Sequence, residues 1–327
     1  MGQLKPFMAA VVAVGLLFAS AHTATADSRA DKLNQNTLGL MAADPQWLGL
    51  ANNIAATVQH EQGLRVLPIV GAGTLQAVSD LAYLDRVDAA LLPLDTLTYA
   101  QAQGLLQGLD GKVTYLVRLQ SIKWALVVGK GIDSLADLAG KRVATGPTGS
   151  MGFVAGELLF NASDVSFARV PRQNAEALTV LSQGSADAAL VDASALKSAR
   201  LDGKRFKILP LALPKQLDST YSPIMLSPTD APSLISEGGD VETVAAPLAV
   251  MVFSKGADKA TDARLKAFTS ALLRNAGQLK INANLTAEIP GWTRHKAAQA
   301  ALQDTAAESA STSTTGAETE LQQGDGQ

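Results

Sequence analysis

Cysteine is absent from the 327-residue chain, and histidine occurs only three times, at His22, His60 and His295. Without cysteine there can be no disulfide scaffold, thiolate zinc site, iron–sulfur cluster or thiol catalysis. So few histidines leave little for imidazole ligands or acid–base chemistry. No cofactor and no metal is implied, no catalytic residue is nominated, and the chain is not expected to be an enzyme. Charge is also sparse, at 17% of residues against the usual ~25%. With 27 basic and 30 acidic residues, the basic footprint of a nucleic-acid binder is missing. What the chain has in quantity is apolar material, 47% of its residues, enough for a sizeable core. Its length allows two domains of roughly 100–200 residues each.

The two ends differ from the rest. Lys5 precedes an almost wholly apolar stretch, Phe7 to Ala21, and Ala24-Thr25-Ala26 offers small residues just before Asp27. Residues 1–26 therefore read as a secretory signal peptide with an A-x-A cleavage site. The apolar stretch is shorter than the ~20 residues a membrane span needs. No later segment is long and apolar enough, so the mature chain is expected to carry no transmembrane segment and to be exported. From Asp304 to Gln327 the composition turns to Ala, Ser, Thr, Gly and Gln with five acids and no Lys or Arg. Such a stretch buries too little to offset its ordering entropy, and a disordered acidic tail is expected over 304–327. Without Lys5 and those five acids, 26 basic and 25 acidic residues remain, a net charge of +1.

Between the ends, short apolar runs alternate with helix-like segments. Leu38–Met41, Leu64–Val70, Val87–Leu92, Val113–Leu119 and Ala125–Val128 read as strands, and Trp47–Gln59, Leu75–Leu84 and Thr96–Gln103 as helices. The rhythm continues through Arg142–Ala144, Gly152–Phe160, Val165–Val170, Ala175–Ser182, Ala188–Val191, Ser194–Leu201 and Phe206–Leu211. Thr243–Phe253 reads as a long buried strand and Asp262–Leu279 as an amphipathic helix. This pattern predicts an α/β fold of two doubly wound lobes with parallel sheets and helices on both faces.

In such folds ligands sit beyond the carboxyl ends of the strands. Thr145–Gly152 (TGPTGSMG) joins a strand to a helix, with Ser150 or Thr148 available as cap and glycines that let a ligand approach backbone N–H groups. Both a tight capped turn and an anion-binding loop fit this sequence. It is neither a P-loop nor a nucleophile elbow, because G-x-x-x-x-G-K-[ST] and G-x-S-x-G are both absent. Gly71–Thr74 repeats the glycine–hydroxyl arrangement in the first half. Asp95 could meet a ligand or cap the helix after it, and Asp192 could face a cleft or cap the next helix. Arg118 and Lys123 bracket the place where the chain leaves the first lobe. Trp47 and Tyr99 read as packing residues, and His60 and His295 as isolated surface residues.

The order of these pieces resembles the TRAP-associated extracytoplasmic immunogenic (TAXI) solute receptors, of the type II periplasmic binding protein superfamily. The likeness runs from about Leu64 to Leu279. It includes Gly73-Thr74, Asp95, the passage Lys123–Val128, Asp133–Val143 (DSLADLAGKRV) and Thr148-Gly149-Ser150. It continues with Gly184–Ala188 and Val241–Ala245. The resemblance implies two lobes joined by crossover strands with a ligand cleft between them: residues 27–127 with 229–303, and residues 128–228. Carried over by position, Gly73, Thr74, Asp95, Thr148, Gly149 and Ser150 are the ligand contacts, and Asp192 joins them as a strand-end carboxylate. The implied function is capture of a small polar or acidic solute, of the amino acid or organic acid class, in the periplasm. The implied partner is a membrane permease or sensor protein, with a TRAP transporter as the family's example. Ala77 stands where the family usually has Asn, and Leu234 and Ile235 stand near its usual Tyr. Those changes keep an alternative open, an interaction or sensor module on the same fold with a degenerate cleft.

Overall fold

The structure is a computed structural model and describes residues 36–59, 63–107, 111–254, 258–281 and 283–308. The signal segment 1–26, His60 and the tail beyond residue 308 lie outside the described residues. The fold is α/β. It opens with β1 (Thr37–Ala42), α1 (Leu48–Val58), β2 (Arg65–Val70), α2 (Thr74–Tyr83), β3 (Ala89–Pro93) and α3 (Leu94–Ala102). The first three strands are parallel, with β1 central. Each is a short apolar run ended by a turn or by Pro93, which leads directly into α3.

β4 (Val113–Gly129) is one strand of 17 residues, where the sequence suggested two. Gln120, Ser121 and Lys123 read as a polar break, but they alternate with the buried Ile122 and Trp124. A period of two is strand continuity with one wetter face. Next come β5 (Arg142–Ala144), α4 (Met151–Asn161), β6 (Ala168–Val170), α5 (Asn174–Ser182), β7 (Ala188–Asp192) and β8 (Phe206–Leu209). The anticipated helix over Ser194–Leu201 is only a single 3-10 turn, Ala193–Leu196. β9 (Ser222–Leu226), not anticipated at all, pairs with β10 (Val241–Phe253). α6 (Lys259–Arg274) and α7, helical over residues 296–308, complete the described chain.

The sheet order is β2-β1-β3-β10-β4-β7-β5-β6, with β8 on β4 and β9 on β10. The sheet is mixed rather than purely parallel. β10 runs antiparallel to β3, β4 and β9, and β4 runs antiparallel to β7 and β8. β4 and β10 are the crossover strands: β10 pairs with β3, β4 pairs with β7, and the two pair with each other. Helices cover both faces of the second set. Trp124, Leu126 and Val128 share a core with Met151, Ala155 and Leu159 of α4, whereas Ala125 and Val127 share another with Ala177, Leu178 and Leu181 of α5. The first of these cores is continuous with the interior of the first set of strands, and α3 packs directly on α4.

Two further expectations change. Residues 304–308 belong to α7, not to a tail. Asp304 pairs with Lys266 at 2.7 Å and Glu308 with Arg274 at 3.8 Å, which staples α7 to α6. His295 is buried rather than at the surface, with its Nε2 3.8 Å from Asp262 and burial holding its pKa below the ordinary value. No helix among the described residues is long and apolar enough to cross a membrane.

Candidate functional site

The turns that follow β1, β2, β5, β6 and β7 converge where the two sets of strands meet, and they bond to one another. Gly73 precedes α2 at φ 135° and Gly149 precedes α4 at φ 83°. Both angles favour residues without a Cβ. At Gly73 a Cβ would sit 3.0 Å from the Gly149 carbonyl oxygen, so glycine is what allows the two loops to touch. Thr74 Oγ1 donates to that same oxygen at 3.3 Å, and the Leu75 N–H donates to it at 3.1 Å. One carbonyl from the second set of strands therefore occupies the donors at the start of α2. Ser150 caps α4, its Oγ accepting from Phe153 N at 3.3 Å. Thr148 is exposed beside it. Arg169 braces this loop: it donates to Thr145 Oγ1 and Glu157 and stacks over the rings of Phe153 and Phe167.

A second bridge runs alongside. Asn174 Nδ2 donates to Gln46 Oε1 at 2.8 Å, and its Oδ1 accepts from Asp192 N at 3.1 Å. Asn174 has φ 49°, a left-handed conformation that asparagine tolerates better than most residues, and it links three turns from that position. Asp44 and Asp192 are both buried. Each caps a 3-10 turn, accepting from Gln46 N and Ser194 N at 3.1 and 2.9 Å. Burial raises both pKa values, and the nearby Asp44 charge adds to the rise at Asp192. Asp44, Gln46 and Asn174 were not nominated as contacts from the sequence; their only signal was a position just after a strand.

Asp95 neither caps α3, whose N-cap is Pro93, nor reaches the surface; it is fully buried. Its Oδ2 accepts from Trp124 Nε1 at 3.3 Å and from Tyr221 OH at 3.1 Å. Oδ1 lies beside Thr96 but makes no hydrogen bond of good geometry, and neither does the buried Thr96 hydroxyl. Burial dominates over these donors and pushes the Asp95 pKa up to about 6. Tyr221 is in turn driven well above its ordinary value by burial and by Asp95. Asp95 therefore ties α3 to β4 and to the segment before β9, as a strut beneath the converging loops.

Asp192 also opens onto a cavity of about 640 Å³, the one nominated residue that does so. The strand segment Arg118–Lys123 forms one wall, Ala193, Ser194, Lys197 and Asp230 a second, and Lys280, Ile281 and Asn284 a third. Lys123 Nζ binds both Asp230 oxygens, at 2.9 and 3.0 Å. Burial raises the Asp230 pKa, but Lys123 and the Ser227 N–H and hydroxyl outweigh it and hold the carboxyl below the usual range. Trp47 is buried and Tyr99 meets Phe153 edge-on at 6.0 Å, so both pack as expected. Among the described residues, no cluster of three His, Cys, Asp or Glu side chains could hold a metal ion.

No family model matches the chain, and no curated protein matches it. Solved structures with a similar arrangement include a TctC solute binding protein from Polaromonas, at 15% identity and TM-score 0.46, covering 82% of this chain and 88% of that one. Another is a TRAP periplasmic solute binding protein from Roseobacter denitrificans with bound β-D-glucuronate. Its identity is 12% and its TM-score 0.43, covering 83% of this chain and 86% of that one. The BenM effector binding domain with benzoate is also similar, at 14% identity and TM-score 0.43, covering 79% of this chain and 98% of that one. These likenesses are remote and assign neither a ligand nor an activity.

Proposed function

We propose that the chain is an exported solute-binding protein of the periplasm that captures a small polar or acidic solute by closing two lobes. The lobes are residues 27–127 with 229–303, and residues 128–228. Gly73, Thr74, Thr148, Gly149, Ser150 and Asp192 face each other across the cleft, and Asp95 supports it from below. In this reading residues 1–26 are a cleaved signal peptide and the chain acts without catalysis. It presents its ligand to a membrane transporter, as the TAXI resemblance implies.

The observation that carries the reading is the shared acceptor at Gly149. Its carbonyl takes hydrogen bonds from Thr74 and Leu75, at the start of a helix in the other half of the molecule. A carbonyl seated on helix N-terminal donors is one of the acceptors that such donors take from ligands, carboxylates among them. Parting the loops frees those donors for solute. The test is thermal unfolding of the full chain against a library of amino acids, organic acids and sulfonates. A solute that binds only the native state raises Tm. An increase with at least one solute is expected, and it should be lost in Thr74→Val. No shift anywhere in the library at millimolar concentration would overturn the reading.

A second reading has one observation in its favour. Ala77, which stands where the TAXI family usually has Asn, is fully buried in the core, so it offers the cleft no polar group. An interaction or sensor module with a degenerate cleft would hold its partner equally well after Thr74→Val. Capture of a membrane partner by the wild type and by that variant alike would favour this alternative.

A further inference from the structure

We infer that the 640 Å³ cavity beside Asp192 is the seat of a small anion carrying at least two negative groups. The inference goes beyond the solute-receptor reading, because it adds a ligand seat away from the glycine–hydroxyl loops that does not depend on Thr74. Four cations line the cavity, Arg118, Lys123, Lys197 and Lys280, against two carboxylates, Asp192 and Asp230. Both carboxylates are already engaged. Asp192 caps the turn at Ser194, and Asp230 is held by Lys123 and Ser227. Arg118 donates to Ser121 Oγ at 3.3 Å, and among the described residues Arg118, Lys197 and Lys280 enter no ion pair within 4 Å, Lys197 acting on Asp192 only at longer range. A cavity wall with this surplus of positive charge attracts anions. Arg118 adds a planar fork suited to a carboxylate or phosphate.

The backbone contributes a second, independent feature. β4 pairs with β7 only from Trp124 onward, and with β10 its register shifts between Pro247 and Ala249, leaving Leu119 and Gln120 without a ladder partner. The segment that lines the cavity thus carries an irregular register and has no β7 partner before Trp124. Its volume lies within the range of small-molecule sites, roughly 300–1,000 Å³.

The walls come from different parts of the chain. Lys197 and Asp230 follow β7 and β9, Lys280 follows α6, and Arg118 and Lys123 lie on the crossover strand between them. A single negative group could neutralise only one wall. An anion with two groups a few ångströms apart bridges them and favours the arrangement in which they face each other.

The test is isothermal titration of the full chain with succinate, inorganic pyrophosphate and acetate at constant ionic strength. Succinate or pyrophosphate is expected to bind at least about tenfold more tightly than acetate, as charge-assisted pairing at two walls requires. Lys197→Gln and Lys280→Gln should each weaken that binding about fivefold or more, and the effect should shrink at high salt. Lys204→Gln, an exposed charge away from the cavity, is the control and should leave affinity unchanged. Equal affinity for acetate and the divalent anions, or wild-type affinity in the Lys197→Gln/Lys280→Gln double variant, would overturn the inference. If the inference fails while another solute binds in a Thr74-dependent manner, the receptor reading stands alone. If no solute binds at all, both fail.

Discussion

Replacing Asp95 by Asn tests whether the strut beneath the loops is a buried acid that opposes its own ionisation. Asp95 is fully buried, and its pKa rises from 3.8 to about 6. At roughly 1.4 kcal/mol per pH unit, that rise corresponds to about 3 kcal/mol of stability. The sign follows from where the proton sits. Between pH 4 and 6 the native state keeps a proton that the unfolded chain has released. The contribution is fully present below about pH 4 and is lost as pH rises through about 6. Asparagine preserves the shape. Its carbonyl oxygen can accept from Trp124 and Tyr221, and its amide can donate to the Thr96 hydroxyl, which has no hydrogen-bond partner among the described residues. Urea unfolding of both proteins from pH 3.5 to 7.5 should show the variant gaining on the wild type as pH rises, by about 3 kcal/mol over the window. Parallel curves would refute the assignment of a raised pKa to Asp95.

Three further outcomes follow from the contacts between the loops. Thr74→Val removes one of the two donors to the Gly149 carbonyl and should lower unfolding free energy by about 1 kcal/mol, measured by urea titration. Gly73→Ala adds a Cβ 3.0 Å from the Gly149 oxygen at an unfavourable backbone angle, and should cost more than Thr74→Val by thermal denaturation. Asn174→Ala loses both bridging hydrogen bonds and keeps the left-handed strain; Asn174→Gly loses the same bonds but relieves the strain, so its Tm should fall between those of wild type and alanine variant.

Strands such as β7, five buried residues in AALVD, were legible because an apolar run bounded by turn residues has few other uses. So were α2 and α4, each announced by a glycine and a hydroxyl residue. β4 was misread because its polar residues line a cavity wall, and nothing local distinguishes a half-wet strand from a linker. Asp304 and Glu308 looked like tail residues because what orders them, Lys266 and Arg274, lies more than 30 positions earlier. The site divides the same way. Gly73, Thr74, Gly149 and Ser150 could be picked from local pattern, and the structure brings them together. Arg118 was singled out at the lobe junction, but Lys197 and Lys280, unremarkable cations in the sequence, join it at one cavity only after folding. Asp95 carried a strand-end signal, but its burial depends on Tyr221, 126 residues away.

The central claim is capture of a solute by closure of two lobes. A chain without cysteine allows paired spin labels to be placed with no background. Tyr83→Cys on α2, 72% exposed, and Glu176→Cys on α5, with its side chain 76% exposed, report the separation of the two halves. With the solute that raises Tm added to saturation, the measured distance distribution should narrow and shift to the shorter separation. A solute that binds at full occupancy and leaves the distribution unchanged would contradict the account.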